Sequence, residues 1–289
     1  MPIARPADDG RIDLRAGRGH AGGTLLIVFV IVLFAFPLVL MVLASLRQPG
    51  LPPPQGIELV PDSPGVRAYR DAFALVPLGR GVLNSAIVSA LAVPITIVTA
   101  SCAALAVMLM GGWQRQLLIR ALFLLAMVPV TAVWIPRFVL FGALNLVGTY
   151  APLVAPALMG GSPLFVLLYV LAFRRIPTDL FEAARMEGIG PVGIWWHIAL
   201  PLARPTTAAI ALLSLALFWS NFIDPLLYLN SEADLTAPLM LQHLELLGPT
   251  NWPVFLAGCV VVTLPVVTAV LFAHRFLRIN ERGIGWLGR

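Results

Sequence analysis

FEAARMEGIGPVGIWWHIALPLARP, residues Phe181 to Pro205, is the one sizeable polar insertion in the apolar second half of this 289-residue chain. It follows Pro177 and Thr178, and Asp179 with Glu182 has the D-x-x-E spacing of a capping box, so a short helix is expected to begin here. Gly188 should end it. Gly190-Pro191 reads as a turn into a second short helix, with Pro191 near its first position and Pro201 beyond its end. Ala183 and Ala184 leave backbone accessible beside Glu182, while Ile194 and Ile198, one turn apart, give the second helix an apolar stripe. A helix, a tight turn and a helix between two membrane spans suit a groove on a soluble partner.

The flanking sequence makes those spans. With 59% hydrophobic residues, 11% charged residues and a mean hydropathy of +0.91, the chain is too apolar for a soluble domain of its size and reads as an integral membrane protein. A bilayer core needs about 20 apolar residues per helix. Six stretches meet that: 22–46, 82–110, 117–145, 150–173, 204–230 and 253–277. The expected architecture is therefore an all-α integral membrane fold with six transmembrane helices. It divides into an Arg-rich tail (1–21), a six-helix domain (22–277) containing the loop 178–203, and a C-terminal tail (278–289).

Orientation rests on arginine, since the chain has no lysine. Arg5, Arg11, Arg15 and Arg18 precede span one, and Arg115 and Arg120 lie near the turn after span two. Arg174, Arg175, Arg185 and Arg204 mark the central loop, and Arg275, Arg278, Arg282 and Arg289 mark the C-terminal end. With six spans, all of these fall on one side. The positive-inside rule then places both termini and the central loop in the cytoplasm of a multi-pass protein of the cytoplasmic membrane. The segment 47–81, with Arg47, Arg67, Arg70 and Arg80, is the exception. Within it, residues 66–75 read either as an amphipathic surface helix or as a plain loop. The net charge of +5 reflects these arginines, and no basic run alternates with aromatics, so nucleic acid is not an expected partner. Residues 23–46 exceed a signal-peptide core and read as a retained span; Cys102 and Cys259, both within spans, imply neither a disulfide framework nor a metal site.

The order Glu182-Ala183-Ala184, Gly188, Ile198, Leu200-Pro201 resembles the EAA loop of binding-protein-dependent ABC importer permeases, with Glu187 where the family usually has Asp. The resemblance implies the type I importer permease fold and makes these seven residues the coupling contact with an ATP-hydrolysing subunit. The same stretch also reads more simply as an amphipathic loop on the membrane surface. The Asn84-Ser85 pair, the run Leu144 to Tyr150 and the frame Trp219 to Leu226 are similar to the carbohydrate branch, although Ser220 stands where that branch usually has Asn. As implied partners, the resemblance brings a second homologous permease chain, two ATPase subunits and an extracytoplasmic substrate-binding protein. No cofactor is expected on this chain, which lacks G-x-x-x-x-G-K-[ST]; ATP and Mg would belong to the ATPase.

Charges inside a membrane are candidates for function. Arg137 and Asp224 both fall roughly 10 Å below the outer surface at 1.5 Å per residue, and either form an ion pair or line a polar cavity together. Alternatively, both sit near the interface and only position helices. With Asn84, Ser214, Ser220 and Asn221 they make the candidate translocation path. On one continuous helix Ser214, Asn221 and Asp224 would share a face that offers hydrogen bonds to sugar hydroxyls. Trp195, Trp196 and Trp286 read as interface anchors and His197 as a surface histidine. The rival classes are the same machine for another solute, an ion-coupled secondary transporter, for which no internal repeat is visible, and an intramembrane enzyme, for which no reactive cluster is visible.

Overall fold

The computed structural model describes residues 16–53 and 63–281, with side chains over 23–53 and 63–273. Most of the expected N-terminal tail, Trp286, Arg282, Arg289 and residues 54–62 lie outside them. Among the described residues the fold is helical with no strand: α1 (Ala16–Ser45), α2 (Arg67–Leu75), α3 (Leu78–Leu109), α4 (Gly112–Ala126), α5 (Trp134–Ala143), α6 (Ala151–Leu158), α7 (Pro163–Phe173), α8 (Thr178–Met186), α9 (Pro191–Ile194), α10 (Leu200–Leu202), α11 (Arg204–Trp219), α12 (Ile223–Tyr228), α13 (Ala237–Glu245) and α14 (Trp252–Glu281). The helix that carries the first span begins at Ala16, ahead of the apolar stretch itself.

Six uninterrupted spans are not what forms. Four stretches are long and apolar enough to cross a bilayer: Gly23–Ser45, Leu78–Leu109, Ala151–Phe173 and Pro249–Ala273. Two further pairs pass only as bent units, α4 with Val130–Ala143 turning through 90°, and Pro191–Leu202 with α11 turning through 85°. The described chain therefore carries four spans, or six if each bent pair is one. The breaks have local causes. At the first, Pro129 supplies no N–H and forces Val128 away from helical backbone. Between α6 and α7, Gly160 and Gly161 hold φ of +83° and +69°. A Cβ on Gly161 would stand 3.0 Å from the Thr96 methyl of α3, so this corner needs glycine for space as well as for backbone. Ser162 then caps α7, its Oγ accepting from the Leu164 N–H at 3.3 Å. The expected span 204–230 stops at Trp219 and resumes as the short α12.

α3 is the central strut, packed against α6, α7, α11 and α13, while α14 packs on α1, α2, α11 and α13. Among the described residues two large apolar clusters occupy the ends of the bundle, with a small third of Ala92, Ala157 and Phe218 between them. One joins the C-terminal half of α3 to α7 and the loop, through Ala104, Tyr169, Phe173, Phe181, Ile194 and Ala203. The other joins α2, the start of α3, α13 and the start of α14 at the far end, through Ala72, Leu78, Met240 and Val254. The stretch read as helix or loop is a helix: Ala68 and Ala72, one turn apart, are buried, and the Ser45 and Tyr69 hydroxyls stand 2.7 Å apart.

Candidate functional site: the loop 178–203 and a buried polar cluster

The loop's first helix begins one residue before Asp179, at Thr178, after Pro177, and no side-chain cap forms, so the Asp179/Glu182 spacing does not act as a capping box. The helix ends as the sequence requires. Gly188 has φ +79°, its N–H donates to Arg185 O at 3.0 Å, and the Ile189 N–H donates to Ala184 O at 2.9 Å. This pair of bonds is the Schellman closure that a left-handed glycine permits.

The second helix runs through Pro201 rather than stopping before it, and Trp195–Ala199 takes π-helical pairing between α9 and α10. Pro201 offers no N–H to the His197 carbonyl, and the wider turn absorbs that missing bond.

The faces of the loop sort differently from expectation. Ala184 is buried, and Ile194, with Ile198 and Leu200 packed behind it, faces the chain's own core. The apolar stripe therefore seats the loop. Outward residues include Glu182, Ala183, Arg185, Glu187, Gly188, Met186 at 89% exposure and Val192 at 76%. Among the described residues Glu182 has no hydrogen-bond or ion-pair partner. Pro201 is half-buried at the bend into α11. Of the three tryptophans read as interface anchors, two lie in the loop: Trp196 is exposed, but Trp195 turns inward and donates from Nε1 to Ser101 Oγ of α3 at 2.8 Å.

The second grouping lies where the broken spans meet. Arg137 of α5 places Nη2 3.4 Å from Asp224 Oδ2 of α12, with side chains only 19% and 7% exposed. The same Nη2 donates to Pro152 O of α6 at 3.2 Å. Asn221 works on Asp224 twice: its Nδ2 donates to Oδ2 at 2.9 Å, and its Oδ1 accepts the Asp224 N–H at 3.2 Å. Among the described residues Asp224 Oδ1 is buried without a partner, as is the hydroxyl of Tyr228 one turn on, whose ring meets Phe138 and Phe141. Tyr228 was not singled out in the sequence, although its spacing of four from Asp224 places it on the same side of a helix.

The remaining candidates are not gathered with that cluster. Helical register is lost between Trp219 and Ile223, so no common face joins Ser214 to Asn221. Ser214 is fully buried, bonded to Ala211 O at 3.1 Å, and Ser220 is exposed, bonded to Ala216 O at 2.7 Å. Asn84 spends both amide hydrogens on Ala233 O and Leu235 O, each at 2.9 Å, and Ser85 Oγ accepts the Ala237 N–H at 2.9 Å. These two residues tie α3 to the segment leading into α13.

The model of the binding-protein-dependent transport system inner membrane component matches residues 92–285, which takes in α4 to α14, the loop and the polar cluster. The chain belongs to that family. As a member of it, this transport-system component is 29% identical over 258 residues to the arabinooligosaccharides transport system permease protein AraQ of Halalkalibacterium halodurans, covering 88% of this chain and 91% of AraQ. It is 32% identical over 210 residues to the probable starch degradation products transport system permease protein AmyC of Thermoanaerobacterium thermosulfurigenes, covering 72% and 76%. Its fold matches the structure of a bacterial ABC transporter involved in import of the acidic polysaccharide alginate, with TM-score 0.73, 19% identity, and 93% and 99% coverage. These relatives are transport components rather than enzymes, and the family and the apolar helices make this a multi-pass membrane protein.

Proposed function

We propose that this chain is the permease subunit of an ATP-driven, binding-protein-dependent importer of a sugar or oligosaccharide. The observation that carries the proposal is the loop: its apolar stripe is sealed into the chain's own core, yet Glu182, Ala183, Met186, Gly188 and Val192 stay outward between two spans, a surface suited to a groove on an ATPase subunit. Ile198, Leu200, Pro201 and Ala184 then seat and aim the loop. The carbohydrate substrates named for AraQ and AmyC support a saccharide cargo.

In this reading the loop and both termini are cytoplasmic, as the arginine distribution favours. A second, homologous permease completes the pore, two ATPase subunits bind ATP and Mg, and a binding protein delivers cargo at the far end. ATPase closure moves the loop and switches which side of the membrane the path faces. Arg137, Asn221 and Asp224 line that path, while Ser214 is spent inside the packing of α11, Ser220 on the backbone of α11, and Asn84 on holding the far-end segment in place.

The test is uptake into proteoliposomes holding the chain with its co-encoded partners. Labelled oligosaccharide should accumulate only with enclosed ATP and loaded binding protein. Uptake driven by a proton or sodium gradient without ATP would establish a secondary transporter instead, and ATP-driven uptake of a non-saccharide alone would correct the cargo.

A further inference from the structure

The loop 178–203 touches the spans mostly through apolar surfaces: Phe181, Ala184, Ile189, Ile194, Ile198 and Ala199 all pack into the cluster built on α3, α7 and α11. Such contacts are non-directional and can slide. Among the described residues, one side-chain hydrogen bond carries the loop to a distant span, from Trp195 Nε1 to Ser101 Oγ at 2.8 Å. Ser101 is fully buried, and its Oγ in turn bonds Ile97 O at 2.6 Å, so the hydroxyl is locked to its own helix as well.

The helix it grips is the central strut. Seventeen residues toward the far end, roughly 25 Å at 1.5 Å per residue, Asn84 and Ser85 grip the segment 233–237 through three further bonds. Directional contacts therefore hold α3 at both ends, one to the loop and three to the far-end segment before α13.

We propose that Trp195 is the positioning residue that clutches the loop to α3, so that loop displacement is transmitted along α3 to the segment 233–237 instead of being lost as sliding of the apolar seat. The proposal rests on the coupling role of the loop given above. The donor N–H, not the ring alone, is the working part: Phe at this position keeps an aromatic ring, though a smaller one, and removes the bond.

The test uses the complete reconstituted complex and measures the ratio of substrate-stimulated to basal ATP hydrolysis, with melting temperature alongside. W195F and S101A should each lower the ratio about fivefold, the factor one neutral hydrogen bond is worth, with basal hydrolysis little changed and any fall in melting temperature no larger than one stranded hydrogen-bonding group gives. The double variant should be no worse than either single one, because both delete the same bond, and S101T, which keeps a hydroxyl, should restore most of the ratio. Unchanged stimulation in W195F and S101A, or losses that add in the double variant, would overturn the Trp195 clutch while leaving the transport reading intact. A wild-type complex that substrate never stimulates would overturn that reading and the clutch with it.

Discussion

Gly188 and Gly161 both hold left-handed backbone, but only Gly161 has a neighbour in the way. Among the described residues a Cβ at Gly188 meets nothing within 4 Å, whereas one at Gly161 meets the Thr96 methyl at 3.0 Å and its hydroxyl at 3.1 Å. Gly188→Ala should thus cost only the backbone term, about 1–2 kcal/mol, felt locally in the loop. Gly161→Ala should add about 1–3 kcal/mol of overpacking to that. A comparison of melting temperatures should find the Gly161 variant much the weaker, and the Gly188 variant near wild type but with impaired stimulation by the ATPase. The buried pair obeys a different rule. Removing Arg137 strands Asp224 with one oxygen already unpartnered, an expected loss of about 3 kcal/mol. Neutralising both, as R137M with D224L, should recover part of it; a double variant no more stable than R137M would show that the two side chains do not depend on one another.

At the scale of the element, the breaks carry the organisation. Asn221 stands inside the interruption between α11 and α12, and its two bonds to Asp224 fix how the chain re-enters helix. Asn221→Ala should therefore destabilise by about 2 kcal/mol, the worth of one charge-assisted and one neutral hydrogen bond. Asn221→Asp should be worse, because it sets a second carboxylate against the first; an Asp variant as stable as wild type would refute this account of the break. The breaks also mark where sequence reading stops. The loop's limits, the stop at Gly188 and the meeting of Arg137 with Asp224 are all legible, because each follows from local composition or from counting along a helix. The 90° turn at Pro129 is not, since a hydropathy window averages across it. The shared face of Ser214, Asn221 and Asp224 fails for a related reason: a period of 3.6 has meaning only while the helix is unbroken. Trp195 escaped because its partner lies 94 residues away, and a tryptophan beside a membrane boundary looks the same in sequence whether it turns out or in.

At the scale of the whole molecule, one strut and two ends explain the layout. α3 passes through both large apolar clusters, bonded to the loop at one end and to the segment before α13 at the other, while α1 leans on α14 with its apolar residues outward. Such a surface suits lipid or a second permease chain. In the proposed importer the outward side of the loop is cytoplasmic and covered by an ATPase subunit. The most direct measurement is maleimide labelling of V192C, with Cys102 and Cys259 replaced by alanine. In inside-out vesicles stripped of peripheral proteins, a membrane-impermeant reagent should modify Val192→Cys rapidly. Adding back the purified ATPase subunit should protect it at least tenfold, while intact cells should show no labelling from outside. Labelling from outside, or equal labelling with and without the ATPase, would contradict the claim.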